Sequence, residues 1–365
     1  MDSYDPLEGE LPPDFGDTAG YDSQGDPEYY ELLEDEITTD SREVPSLIWL
    51  ARTARLDPEK LAAMLLRIRR GEEVYEEKAV PKADGGKRTI QIPIPELLKI
   101  QRAINQRVLS TFWPAKCAFG FSGGNIVDAV RPHLKAKVIL SVDLRNAFQS
   151  VSSDSIVNYL ISGKVEIYGG GAGRQIQAYG RLSWYCAKMI VRLCTRREWL
   201  IQGAPTSPRL FDLVCGHLDK QLLRLAKNTK GVYTRYADNI IFSYDWTGRF
   251  PGKVKRAILR IIEKGSLYYY PHFSWHGLKI RRTSSPVRLL GLNLINGQIH
   301  NTRNFKRRLR LSLHHIGWLL DQGVVCTEEW QQLQGQMAFC QRDTLPNGYV
   351  EKYLELEKRS ADLLG

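Results

Sequence analysis

Hydrophobic and polar positions divide this 365-residue chain into segments of different period. Val138-Ile139-Leu140-Ser141-Val142 is a short, almost wholly apolar run of the length of a buried strand, and it ends on a carboxylate, Asp143. Residues 232–243 are rich in β-branched and aromatic residues and are interrupted at the centre by Ala237-Asp238-Asn239, so they read as two strands of a hairpin. Residues 75–95 hold two more strand segments joined by Asp84-Gly85-Gly86, which is hairpin turn chemistry. Residues 46–70 form an amphipathic helix whose second half starts at Asp57-Pro58. A turn rich in proline, glycine and hydroxyls, Ile201-Gln202-Gly203-Ala204-Pro205-Thr206-Ser207-Pro208, leads into a helix over residues 209–214. Pro208 suits the first turn of that helix, with Ser207 or Thr206 as its cap.

The remaining pattern is mostly helical. Residues 155–200 read as helices broken by Tyr168-Gly169-Gly170-Gly171-Ala172-Gly173-Arg174, which lacks Gly-Lys-Ser/Thr and is therefore a flexible turn, not a P-loop. Residues 305–315 begin a basic helix that forms a small helical bundle with residues 333–340 and 353–356.

Two acids stand out against the apolar runs. A tight turn after Tyr236 pushes Asp238 out of the sheet, where it is free to hold a metal. Asp143 ends a buried strand, and an ionised carboxylate there is costly unless it is paired or cation-bound; capping a following helix is its simpler role. If a sheet brings both acids together they repel each other, and divalent ions relieve that repulsion. A pair of Mg²⁺ ions so held can activate a hydroxyl nucleophile and stabilise a departing oxygen.

Charge distribution adds a partner. Residues 1–41 contain fourteen acids and no Lys or Arg, so with a net charge of +10 for the whole chain, residues 42–365 carry +24. A body this basic draws polyanions and binds them in a salt-dependent way. The acidic segment is low in aliphatics and reads as a disordered tail that solubilises the chain or competes for its basic groove. It lacks the basic residues and apolar core of a targeting peptide. No run approaches the roughly 18 apolar residues of a membrane span, which points to a cytoplasmic protein with no membrane partner. The six cysteines (117, 186, 194, 215, 326 and 340) include no Cys-x-x-Cys pair and read as reduced core thiols.

Taken together, Tyr236-Ala237-Asp238-Asn239, the strand ending at Asp143 and Gln202-Gly203-Ala204-Pro205-Thr206-Ser207-Pro208 resemble, in order, the motifs of bacterial reverse transcriptases. The hairpin is usually Tyr-Ala-Asp-Asp, so Asn239 stands where the family has a second aspartate. The resemblance covers about residues 45 to 360 and implies an α+β right-hand polymerase: fingers, a palm with an antiparallel sheet, and a small helical thumb. The expected divisions are an acidic tail to residue 41, fingers over 42–136, palm over 137–290 with a helical insertion near 155–200, and primer grip with thumb over 291–365.

It further implies an RNA-directed DNA polymerase with catalytic Asp143 and Asp238, and a metal set of Asp143, Leu144, Asp238 and Asn239 for two Mg²⁺ ions, with Mn²⁺ as substitute. The implied nucleotide contacts are Lys82, Lys87, Arg88, Ala147, Phe148, Gln202, Gly203 and Lys279, Phe148 being the steric gate against a ribose 2′-hydroxyl. Primer and template contacts fall on Tyr236, Pro205, Leu290, Gly291, Arg307 and Arg308. The implied partners are dNTPs, an RNA template, noncoding by analogy, and the DNA product; a partner protein or homo-oligomer is left open.

Retron enzymes usually carry Val-Thr-Gly in the primer grip and Asn-Ala-x-x-His before the first acid. Here Leu289-Leu290-Gly291 and Asp128-Ala129-Val130-Arg131-Pro132-His133 stand instead. Group II intron enzymes carry a longer thumb and further domains. The resemblance is therefore greatest to compact, stand-alone reverse transcriptases of anti-phage defence, the abortive-infection and "unknown group" lineages. Two other readings stay open: an inactive scaffold that binds nucleic acid or an active polymerase, and template-independent synthesis.

Overall fold

The computed structural model describes residues 43–81, 86–121, 124–162, 165–169, 176–180, 182–264, 271–339, 345 and 347–364. The acidic tail, Lys82 and Cys340 lie outside them. Along the chain the strands are β1 (Tyr75–Pro81), β2 (Lys87–Pro93), β3 (Val138–Arg145), β4 (Val165–Gly169), β5 (Ile176–Gly180), β6 (Val232–Tyr236), β7 (Asn239–Tyr244), β8 (Ser274–Arg282), β9 (Val287–Leu289), β10 (Leu292–Ile295) and β11 (Gln298–Asn301). The fold is α+β, and the chain divides into two compact units.

The first unit takes its described residues from 1–113, 148–214 and 267–271. Its N-terminal amphipathic segment is two helices, Glu43–Ala54 and Pro58–Arg69. The break falls at Arg55 (φ 54°), and the second helix starts where Asp57 accepts the Glu59 N–H at 2.9 Å with Pro58 behind it. β1 and β2 form the expected antiparallel hairpin, Tyr75 facing Pro93 and Pro81 facing Lys87. Buried Gln101 anchors its base, donating to the Tyr75 hydroxyl (2.9 Å) and to the Leu193 carbonyl (2.7 Å). Between helices Ser153–Ser162 and Trp184–Cys194 lies an antiparallel hairpin, β4–β5, that the helical reading of 155–200 did not place. Its strands alternate apolar and polar residues at period two, a signal the neighbouring glycines overshadow.

The second unit comprises the described residues of 114–147, 215–266 and 272–365. Its centre is an antiparallel sheet in the order β6-β7-β3-β8. Register puts Ile139, Ser141 and Asp143 on one face with Asn239 and Ile241, where Ile139 and Ile241 pack against Ile126, Val130, Val287 and Leu289. The other face carries Phe242, which meets Tyr233, Tyr244 and Phe250, and it is covered by helices Gly216–Asn228 and Gly252–Lys264. β9-β10-β11 form a second small sheet. Helices Arg303–Asp321, Thr327–Phe339 and Asn347–Leu364 close over Leu309, Leu313, Leu333 and Leu356.

His133 lies wholly buried between this sheet and its connecting segment. The Thr234 hydroxyl donates to the Ala129 carbonyl (2.9 Å), so it accepts from His133 Nε2 (2.8 Å), leaving Nδ1 to accept from Ser243 (2.6 Å). Burial pushes the imidazole pKa down to about 3, so this histidine is a neutral structural bridge. Cys117, Cys186, Cys194 and Cys215 are buried thiols; burial pushes Cys194 up to about 12, which makes it a poor nucleophile. No helix among the described residues is long and apolar enough to cross a membrane.

Candidate active site

Tyr236 faces Asn239 across the end of the β6–β7 ladder, so Ala237 and Asp238 make a two-residue turn. Ala237 adopts φ 53°, the left-handed conformation such turns require. Three contacts hold it there. Arg235 Nη1 donates to the Ala237 carbonyl at 3.0 Å. Residues 117–119 run beside β6, with Arg235 N–H bonded to the Cys117 carbonyl (2.8 Å) and Phe119 N–H to the Arg235 carbonyl (2.9 Å). Gly120 then passes so close that a Cβ there would stand 2.4 Å from the Ala237 nitrogen.

Arg235 is itself fully buried. Nε and Nη2 donate to Asp219 Oδ1 (2.9 Å) and Oδ2 (2.8 Å), and the Tyr233 hydroxyl adds a third bond to Oδ1 at 2.7 Å. Both side chains of this ion pair are 0% exposed. Burial and the Asp219 charge push the Tyr233 phenol well up, which keeps its proton available for donation.

β3 brings Asp143 to the same place. It is a ladder residue facing Asn239, and the strand runs on to Arg145, so it caps no helix. The next residue's N–H, Leu144, donates to the Asp238 carbonyl at 2.9 Å. Asp143 is half-buried, and its pKa is raised first by that burial and then by the Asp238 charge, while His276 and Lys279 act in the opposite sense. These two come from β8, whose register shifts at a bulge opposite Ser141 and Asp143. Gly277 occupies the bulge with φ 60°, and a Cβ on it would stand 3.0 Å from Asp143 Oδ2. Only glycine lets this strand approach the carboxylate so closely.

Asn239 supplies what a second aspartate would not. Its Nδ2 donates to Asp238 Oδ1 at 3.0 Å, so the amide satisfies that carboxylate instead of repelling it, and its Oδ1 remains an acceptor. Two carboxylates and an amide oxygen make an all-oxygen donor set. It suits hard divalent cations such as Mg²⁺ or Mn²⁺, and among the described residues no cluster of three His, Cys, Asp or Glu competes with it. The repulsion between Asp143 and Asp238 is what a bound cation removes.

The expected site residues fall into two groups. Asp143, Leu144, Asp238, Asn239, Tyr236, Ala147 and Lys279 belong to the second unit, with Leu290 (φ 50°) and Gly291 (φ 84°) in its β9–β10 turn and Arg307 and Arg308 exposed on the Arg303–Asp321 helix. Lys87, Arg88, Phe148, Gln202, Gly203 and Pro205 belong to the first. There the Gln91 N–H donates to the Gln202 carbonyl (2.7 Å), tying the β1–β2 hairpin to the Gln202 turn. Gly203, at φ 120°, is required because a Cβ would stand 2.4 Å from the Gln91 carbonyl oxygen. The Pro205 carbonyl accepts from Asn105 at 3.2 Å, and the Phe148 ring lies 5.2 Å from Phe211. Lys87 and Arg88 are exposed. The helix after this turn starts at Ser207, but the buried Ser207 hydroxyl has no hydrogen-bond partner among the described residues and the Thr206 hydroxyl lies by the Cys194 thiol, so neither caps it through its side chain.

Sequence reading missed Arg235, Asp219, His276 and Gly277. Arg235 did leave a signal, a lone cation inside an apolar strand, which demands a buried partner. The other three left none.

The antiparallel sheet thus presents one carboxylate from a central strand and one from the adjoining hairpin turn. Residues 80–294 match the family model for reverse transcriptase (RNA-dependent DNA polymerase), and the chain belongs to that family. It is 28% identical over 315 residues to the retron Mx162 reverse transcriptase of Myxococcus xanthus, covering 79% of this chain and 62% of that protein. It is 26% identical over 230 residues to the retron Ec86 reverse transcriptase of Escherichia coli, covering 63% and 65%. The chain thus spans less than two thirds of the length of these curated relatives. Its departures at Leu289-Leu290-Gly291 and at residues 128–133 coexist with this similarity to retron enzymes. Among solved structures, a Candida albicans telomerase aligns at TM-score 0.42 and 11% identity (79% of this chain, 60% of that one). A foamy viral protease-reverse transcriptase bound to double-stranded DNA aligns at TM-score 0.38 and 19% identity (83% and 43%).

Proposed function

We propose that this protein is an RNA-directed DNA polymerase that makes DNA on a noncoding RNA in bacterial anti-phage defence. The observation that carries the catalytic part is the pairing of Asp143 with the Asp238–Asn239 turn on one sheet, with the Asp143 pKa raised by burial and by its acidic neighbour. Family membership supports the template class; the defence setting and noncoding template rest on resemblance alone.

Asp143, Asp238, the Asn239 amide oxygen and the Leu144 carbonyl would hold two Mg²⁺ ions, or Mn²⁺. Such ions lower the pKa of a 3′-hydroxyl and neutralise charge on departing pyrophosphate. Lys279 adds positive charge beside the carboxylates, and the His276 ring comes from the same strand. Lys82, Lys87 and Arg88 would take the triphosphate, and Gln202 and Gly203 would position the nucleotide. Phe148 follows Ala147 and would exclude a ribose 2′-hydroxyl. Tyr236, Pro205 and the Leu290–Gly291 turn would bear on primer and template, and Arg307 and Arg308 on the duplex backbone.

Asn239 favours one rival reading, a scaffold without activity, because it removes a negative charge from the cation site. Primer extension with Mg²⁺ or Mn²⁺, on copurified RNA and on added template, separates the two. Wild type should incorporate dNTPs, and Asp143→Ala and Asp238→Ala should each lose incorporation. Full activity in both variants would refute the site, and an inert wild type would establish the scaffold. Sequencing the bound nucleic acid tests the setting: one abundant RNA with a complementary DNA supports it, and random cellular RNA without DNA counts against it.

A further inference from the structure

Helices Gly216–Asn228 and Gly252–Lys264 cover the sheet face that bears Phe242 and Arg235, opposite the face that bears Asp143. Their inward positions are apolar: Leu218, Leu222 and Ala226 on one, Val254, Ile258 and Ile262 on the other. Their outward positions are cationic. Lys220, Arg224 and Lys227 are exposed at spacings of four and three, and Lys253, Arg256 and Arg260 at three and four. None of the six forms an ion pair among the described residues. The surface stays positive, since Asp219 is buried against Arg235 and Glu263 is the one exposed acid of these two helices.

An exposed helix face gains stability from opposite charges three and four residues apart and is weakened when those charges are alike. Both helices here hold unrelieved like charges in that spacing, on adjacent elements of one layer. From Lys253 to Arg260 the rise is about 10 Å at about 1.5 Å per residue. That length matches roughly three phosphates of a single strand.

We infer that this two-helix surface is a second nucleic-acid site, which binds the phosphate backbone of the part of the RNA lying outside the templating stretch. The inference rests on the reading that the template is RNA. RNA held at Asp143 reaches this surface only by passing round the sheet, so the surface selects long or folded RNAs over short ones. It reads no base, because lysine and arginine on an outer helix face meet backbone charge.

The test uses the full chain with Lys220, Arg224, Lys227, Lys253, Arg256 and Arg260 all changed to Gln, and a second variant changed only at Lys253, Arg256 and Arg260. Binding of a folded RNA of about 100 nucleotides and of a short primer–template is measured across salt concentrations, with anionic vesicles as a further probe. The sixfold variant should bind the long RNA on the order of 100-fold more weakly. The slope of its salt dependence should fall by about 0.7 for each phosphate that is no longer neutralised, with about half that change in the threefold variant. Extension of the short primer–template should stay within about twofold of wild type, and the unfolding midpoint should not fall, since Gln relieves like-charge repulsion. Unchanged long-RNA affinity and salt slope would overturn the inference. So would vesicle binding that disappears in the variant while its RNA affinity stays intact. Loss of long-RNA binding in a protein whose wild type extends no primer would uphold this surface and sink the polymerase reading.

Discussion

Removing the Asp219 carboxylate tests how the catalytic turn is held. Asp219 and Arg235 are both 0% exposed, so Asp219→Asn leaves a guanidinium in the interior without its counter-charge. Breaking a buried pair from one side costs about 3–5 kcal/mol, against a total stability of about 5–15 kcal/mol for a domain. The amide keeps the shape and one acceptor for Tyr233, which donates at 2.7 Å, so the low end, about 3 kcal/mol, is expected. Arg235→Met should cost a similar amount by stranding the carboxylate. In the double variant Asp219→Leu/Arg235→Met neither charge is left, and most of the stability should return. Activity should not return, because the Ala237 carbonyl no longer has the donor that held it at 3.0 Å and Asp238 follows in the chain. Urea unfolding with midpoint and slope, run beside primer extension, measures both quantities. If each single variant stays within about 1 kcal/mol of wild type, the pair is not a buried strut. If the double variant is fully active, the Arg235–Ala237 bond does not position the turn.

Four other outcomes follow from the structure. Asp143→Asn should abolish activity yet stabilise the protein at neutral pH. The folded carboxyl titrates above the ordinary value of about 3.9, so wild-type stability declines as pH rises through that window, and thermal scans should show the variant's advantage vanishing in acid. His133, with its pKa near 3, contributes stability that is complete above about pH 6.5 and lost as pH falls, by up to about 1.4 kcal/mol per unit. His133→Gln should flatten that limb of the unfolding-versus-pH curve, and an unaltered limb would refute the neutral bridge. Gly203→Ala should destabilise by about 1–3 kcal/mol, and Phe148→Ala should raise rNTP incorporation well above wild type; equal sugar discrimination would remove Phe148 from the nucleotide site.

Much of the central sheet was legible from residue order. The apolar runs of β3, β6 and β7 declare strands because side-chain alternation and turn chemistry act over a few residues, and Asp143 and Asp238 stand out as acids that such runs do not explain. The two-residue turn, the β1–β2 hairpin and the helix starting at Ser207 are equally local. What supports the acids was not. Asp219 lies on a helix sixteen residues before Arg235, and only the packing of that helix under β6 turns two isolated charges into a buried pair. Gly277 is one glycine in a basic strand until β8 joins β3 and its bulge meets Asp143. β3 is distant in the chain from both β7 and β8, its neighbours in the sheet, so the charges and close approaches between them exist only once the sheet has formed.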